Sequence, residues 1–149
     1  MENNQITFLA PLAIYLPRKT MKDKRIALSL NEYRNLNFRV EAQVKIAFTE
    51  LMRQQLTGKK FSHPSFTWKL YYKDKRRHDK LNFVSIISKY FLDAMVHYDC
   101  IVDDSDHFVG TDYILEPEID KHNPRCEITI TDSVNPNPTQ GSLISILKN

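Results

Sequence analysis

Residues 66–98 read FTWKLYYKDKRRHDKLNFVSIISKYFLDAMVHY, and this stretch decides the fold because it joins a strand to a helix through a basic loop. Residues 66–72 alternate between apolar and polar side chains, which predicts a β-strand with one buried face. From about Lys80 to Tyr98 the apolar side chains recur at helical spacing, which predicts an amphipathic helix. Asp79 therefore stands where a basic loop meets the start of this helix.

The amino-terminal part of the chain predicts one strand and one long helix. Residues 6–16 alternate as a strand does, and Pro11 is expected to interrupt or end that strand. The connection that follows, between Pro17 and Ser29, is rich in basic residues. Ser29 with Glu32 three residues later has the form of a capping box, and apolar residues then recur at helical spacing up to residue 57.

The carboxyl-terminal part predicts two more strands, at residues 108–115 and 126–131, joined by residues 117–124. The expected fold is α+β, with a small mixed sheet, two main helices and the order β-α-β-α-β-β. Residues 1–131 form the predicted domain. Residues 132–149 form a predicted tail whose apolar end packs on the domain or on a second subunit.

Composition limits the class of protein. With 149 residues and 42% hydrophobic content, the chain has the usual size of one domain with one core. The net charge is only +3, so affinity for polyanions has to come from local clusters of bases. Two such clusters are present: Arg18, Lys19, Lys22, Lys24 and Arg25, and Lys69, Lys73, Lys75, Arg76, Arg77 and Lys80.

Several classes are excluded or disfavoured. Two cysteines are too few for a disulfide scaffold and suit a reducing compartment, so a cytoplasmic location is expected. The start of the chain lacks a signal peptide pattern, and no apolar run approaches the roughly 20 residues of a membrane span. Three glycines are too few to build a phosphate-binding loop or a dinucleotide fingerprint.

Acidic residues at both ends of the second predicted helix suggest metal chemistry. Asp79 precedes this helix, and Asp103 and Asp104 follow it. If the two ends converge, Asp79 and Asp104 ligate a divalent ion, while Asp103 or Asn82 completes or orients the shell and Lys89 neutralises charge on a phosphate. Oxygen ligands favour Mg²⁺ over Zn²⁺.

Structural readings of the same residues stay open. On an ideal helix Asn82, Lys89 and Asp93 fall within about 20° of one line and form a polar stripe. Asp79 could simply cap the helix, Lys89 and Asp93 could be an i,i+4 ion pair, and residues 103–106 could be a solvated turn. The basic run could likewise be a solvated edge.

Three segments together resemble the RusA-type Holliday junction resolvases: RHDKLN at 77–82, KYFLDAM at 89–95 and IVDD at 101–104. Members of that family have an Asp and Asn pair, a helical Lys followed by Asp-Ala-Leu, and a hydrophobic residue before Asp-Asp. The segment LNEYRN at 30–35 is similar to an Asn and Tyr element near the family's amino terminus. The resemblance covers most of residues 6–131.

The resemblance implies a homodimer that binds four-way DNA junctions and cuts them with Mg²⁺, for which Mn²⁺ can substitute. It gives metal-ligand roles to Asp79 and Asp104, with Asp103 beside them, the essential-lysine role to Lys89 and the site asparagine to Asn82. The residues expected to contact DNA are Lys73, Lys75, Arg76, Arg77, Lys80 and Arg34.

One position departs from the family pattern. Leu81 stands where the better-known Asp-x-Asp-Asn pattern has a carboxylate. Either Asp103 supplies the missing oxygen, or the protein binds branched DNA with little or no catalysis. A small interaction module, whose charges only keep it in solution, is the third alternative.

Overall fold

A computed structural model describes residues 5–132 of the chain. It contains three helices and seven strands within those residues. In chain order the elements are β1 (Gln5–Ala10), β2 (Ala13–Leu16), β3 (Lys24–Ala27), α1 (Leu30–Arg34), α2 (Phe38–Leu56), β4 (Pro64–Tyr72), α3 (Lys80–His97), β5 (Asp112–Ile114), β6 (Glu118–Ile119) and β7 (Arg125–Asp132).

The main sheet has five strands in the order β1-β7-β4-β5, and β6 pairs with the last part of β4. β7 is antiparallel to both β1 and β4, whereas β5 and β6 are parallel to β4. The sheet is therefore mixed, and the predicted α+β class is confirmed. The two long helices, α2 and α3, are the two main helices of the prediction.

The core lies between one face of this sheet and the two long helices. Every second residue of β4 is buried, including Phe66, Trp68 and Leu70, as the alternation predicts. Phe91 of α3 lies with its ring edge-on to both Phe66 and Trp68, at centroid distances of 6.4 and 6.0 Å. Phe8 of β1 packs on the same ring at 5.8 Å. These aromatic contacts fix α3 on the centre of the sheet.

The sequence prediction missed a hairpin. The first strand is interrupted at Pro11, and β2 then pairs with β3 in a separate two-stranded sheet. The second half of the predicted connection between Pro17 and Ser29 is thus the strand β3, which begins at Lys24. Only Ile26 is fully buried in this strand, so the alternation of apolar and polar residues in the sequence is short and weak there.

The first predicted helix is two helices. Ser29 caps α1 as expected, but Asn37 caps a new helix by accepting hydrogen bonds from the N–H groups of Arg39 and Val40. Asparagine is a strong amino-terminal cap, and this local bond competes with continuing the helix. The strand predicted at 108–115 is shorter than expected, since only the three residues of β5 form a strand there. The connection predicted at 117–124 contains a further short strand, β6.

The relative direction of β4 and α3 determines which segments lie at each end of the sheet. Because β4 and β5 are parallel, α3 between them has to run back along the sheet. The start of α3 therefore lies beside the end of β4. The other end of α3 lies beside the start of β4, where the Phe61 N–H donates to the Cys100 carbonyl at 2.8 Å and the Gly110 N–H donates to the Pro64 carbonyl at 2.7 Å.

The predicted tail lies almost entirely outside the described residues. β7 includes Asp132, whose carboxylate accepts hydrogen bonds from the N–H groups of Ser62 and His63 at 2.9 and 3.0 Å. Asp132 is therefore part of the sheet. Within residues 5–132, none of the helices combines the length and the apolar character that a bilayer crossing demands.

Candidate nucleic-acid interface

The loop between β4 and α3 is ordered by its own side chains. We call residues 73–79 the basic loop. The His78 ring stacks on the ring of Tyr72 at a centroid distance of 4.0 Å. The Asp74 carboxylate accepts a hydrogen bond from the Arg76 N–H at 3.0 Å and lies 3.3 Å from His78 Nε2. These hydrogen bonds lower the pKa of Asp74, the bond from Arg76 most of all, so the carboxylate stays charged.

The cations of the basic loop point to solvent and are mostly unpaired. Lys73, Lys75 and Arg77 are exposed and form no ion pair with any residue in the 5–132 range. Arg76 is exposed as well and pairs only with Asp74, at 3.4 Å. Lys80, at the start of α3, pairs with Glu116 at 2.6 Å. An ordered loop with uncompensated cations is a suitable surface for a polyanion.

Asp79 is the amino-terminal cap of α3. Its side chain accepts a hydrogen bond from the Leu81 N–H at 3.0 Å, and the residue is exposed. The hydroxyl of Tyr72 is buried and has no hydrogen-bond partner among the residues described. Burial, followed by the nearby charge of Asp79, raises the pKa of Tyr72 to about 12. The Tyr72 phenol at the end of β4 is thus neutral.

Lys89 belongs to a separate cluster in the middle of α3. Its Nζ lies 3.8 Å from the Asp93 carboxylate, so the predicted ion pair is present, and Lys45 of α2 lies 3.2 Å from the same carboxylate. Lys89 Nζ also lies 5.7 and 5.2 Å from the ring centroids of Tyr33 and Tyr90, a distance at which a cation and an aromatic ring attract each other. Asp93 therefore links α3 to α2 through Lys45, whereas its pair with Lys89 lies within α3.

Asp103 and Asp104 lie beyond the other end of α3, in an exposed acidic loop that we define as residues 103–106. Asp103 accepts a hydrogen bond from the N–H of Asp104 at 2.9 Å, which is a local turn contact. Ile101, which precedes them, is buried and anchors the loop near the start of β4.

One chain therefore does not bring the predicted metal ligands together. An 18-residue helix spans about 27 Å, and Asp79 precedes it whereas Asp103 and Asp104 follow it. Lys89 lies about 15 Å along the axis from Asp79. Within residues 5–132, no group of three or more His, Cys, Asp or Glu side chains is placed to bind a metal ion. In the described part of one chain, Asp79, Asp103 and Asp104 do not together form a site that fits Mg²⁺.

The remaining predicted site residues are Asn82 and Arg34. Asn82 is half-buried in the first turn of α3, and its carbonyl accepts a hydrogen bond from Ser85 Oγ at 3.2 Å. Arg34 is exposed at the end of α1. Sequence reasoning missed Lys45 and Glu116 as ion-pair partners in this region. Such contacts join distant parts of the chain, so no local pattern could have revealed them.

Comparison with protein-family models gave no match, and comparison with curated proteins gave none either.

Two substitutions of Asp79 separate its structural role from its charge. Asp79→Ala removes the cap and is expected to lower the free energy of unfolding by about 1 kcal/mol, whereas Asp79→Asn keeps a good cap and is expected to change it much less. Urea unfolding followed by circular dichroism measures both. Equal losses for the two variants would show that the carboxylate charge, not the cap, stabilises this end of α3.

Proposed function

We propose that this protein is a cytoplasmic, Mg²⁺-dependent endonuclease that recognises and cuts branched DNA such as four-way junctions, as its resemblance to the RusA-type resolvases implies. The observation that carries the proposal is the ordered basic loop, whose exposed cations directly precede the exposed Asp79 at the start of α3. Cations that hold a phosphate and a carboxylate that attracts a hard metal ion are the parts such a reaction needs.

The DNA backbone is proposed to lie across the basic loop. Lys73, Lys75 and Arg77 have no competing carboxylate among the residues that the structure describes, so their charges are available to phosphates. The stack of His78 on Tyr72 and the hydrogen bonds of Asp74 order the loop before DNA arrives. Less conformational entropy is then lost on binding.

The metal ligands are proposed to come from two copies of the chain. Asp79 and Asp104 lie at opposite ends of α3, and in a twofold dimer with antiparallel α3 helices one copy's Asp79 lies beside the partner's Asp104. The middle of α3, near Lys89, then lies close to the twofold axis. Such a dimer has two equivalent sites, which matches the paired cuts that the resemblance implies.

Two features of α3 support this pairing. Leu81, Ser85, Ser88 and Leu92 recur at spacings of four, three and four residues along one side of the helix, and Leu81 is 59% exposed. Charge is also divided between the ends, with the basic loop before α3 and the acidic loop after it. Long-range attraction between these opposite charges would steer two copies into the antiparallel arrangement.

A second candidate function is branched-DNA binding with little or no catalysis. Leu81 in place of a family carboxylate favours it, as does the absence of a metal-binding group within residues 5–132 of one chain. Binding by the basic loop is common to both candidates. The presence of Mg²⁺-dependent incision separates them.

Removing two free cations tests the basic loop. The double variant Lys75→Gln/Arg77→Gln is expected to weaken junction binding and to reduce the slope of log affinity against log salt by about 2, because each lost phosphate contact contributes about 0.9. Fluorescence anisotropy with a labelled four-way junction at several salt concentrations measures both quantities. The matched control Arg53→Gln/Lys59→Gln removes one Arg and one Lys near the end of α2 and should change neither. Equal effects of the two double variants would contradict the interface.

A mixing experiment tests the two-copy site. The wild type should incise a synthetic four-way junction with Mg²⁺, and Asp79→Asn or Asp104→Asn alone should not. An equal mixture of the two variants is expected to recover about one quarter of the wild-type rate, since half of the dimers are mixed and each has one intact site of two. The variants have to be unfolded and refolded together so that subunits exchange.

The outcomes are distinct. No recovery in the mixture, with an active wild type, would place the ligands within one chain. No incision by the wild type with either Mg²⁺ or Mn²⁺, with junction binding retained, would leave binding without catalysis as the function.

A further inference from the structure

A small cleft lies between the basic loop and the segment that contains β6. It is open to solvent and has a volume of about 270 Å³. Tyr72, His78, Pro117 and Ile119 line it, and Ile119 of β6 is the register partner of Tyr72 of β4. This volume is just below the about 300–1,000 Å³ of pockets for drug-sized ligands, so the cleft suits one small ring system.

The cleft walls offer surfaces for stacking. The rings of His78 and Tyr72 already lie in a stack with an interplanar angle of 19°, and 24% of the His78 side chain is exposed. Ile119, the neighbour of Tyr72 on the adjacent strand, is 47% exposed. A flat ligand that enters here would extend an existing aromatic stack and cover an exposed aliphatic side chain.

The charged side chains that line the cleft are paired, except for one cation. Its carboxylates are paired, because Glu118 lies 3.2 Å from Lys69 and Asp74 lies 3.4 Å from Arg76. Lys75 also lines the cleft and has no ion-pair partner within residues 5–132. A ligand with a neutral ring and an attached phosphate matches both parts: the ring enters the cleft and the phosphate meets the cation. Carboxylate oxygens can also accept hydrogen bonds from the amino groups of bases.

We infer that this cleft binds a single unstacked nucleobase of the DNA whose phosphates lie on the basic loop. The inference rests on the proposed DNA-binding function and adds to it a preference for DNA that contains an unpaired base. Bases at a branch or a bulge are easier to unstack than bases in continuous duplex, so the cleft would distinguish these structures from linear DNA.

The test compares a duplex that contains one extrahelical 2-aminopurine with the same duplex fully paired. The wild type is expected to bind the bulged duplex about tenfold more tightly, in line with the stacking of one base on aromatic side chains. Ile119→Trp fills the cleft and should abolish this preference while leaving the affinity for the paired duplex unchanged. Leu115→Trp is the matched control, since Leu115 is 45% exposed nearby but does not line the cleft, and it should keep the preference.

Binding is measured by anisotropy, and the fluorescence of 2-aminopurine reports its stacking in the cleft. Equal affinity of the wild type for the two duplexes would overturn the inference and leave the proposed function intact. A tenfold preference that survives in Ile119→Trp would also overturn it. Failure of the wild type to bind either duplex or a four-way junction would overturn the proposed function together with the cleft.

Discussion

The packing of α3 on β4 is the constraint on which the rest of the structure depends. Phe91 fixes the middle of the helix on Phe66 and Trp68, so the 18-residue helix acts as a rigid spacer of about 27 Å. The basic loop and Asp79 lie at one end of this spacer, and the acidic loop lies at the other. Any chemistry that needs both ends has to involve a second molecule.

The basic loop and the acidic loop differ in how they are built. Tyr72, His78 and Asp74 order the basic loop with a ring stack and hydrogen bonds. The acidic loop instead has local turn contacts, in which the Asp103 carboxylate and the Ser105 carbonyl accept hydrogen bonds from backbone N–H groups. An ordered surface of free cations is suited to holding a polyanion in one position. Carboxylates without cation partners are suited to meeting a metal ion or a basic partner surface. In the antiparallel dimer that we propose, the two ends would complement each other across copies rather than within one.

The sequence predicted the elements with strong periodicity and missed those set by distant contacts. β4 and α3 were predicted within a residue or two, because the alternation over residues 66–72 and the helical spacing from about Lys80 to Tyr98 are long signals. The β2–β3 hairpin was missed because strands of four residues carry little pattern. For the site, spacing correctly indicated the cap at Asp79 and the pair of Lys89 with Asp93. The spacing of residues could not show whether Asp79 and Asp104 lie close together. That depends on the direction of α3 and, in our proposal, on a second copy of the chain.

The distance between the two ends in the assembled protein tests this account most directly. One preparation carries a spin label at Lys75→Cys and the other at Asp106→Cys. Both native cysteines are buried, and burial raises the pKa of Cys126 to about 12, so labelling favours the introduced thiols. After the two preparations are refolded together, pulsed electron resonance is expected to give an intermolecular distance well below the about 27 Å length of α3. An absence of intermolecular coupling, or a distance longer than the helix, would contradict the antiparallel assembly and the shared metal site.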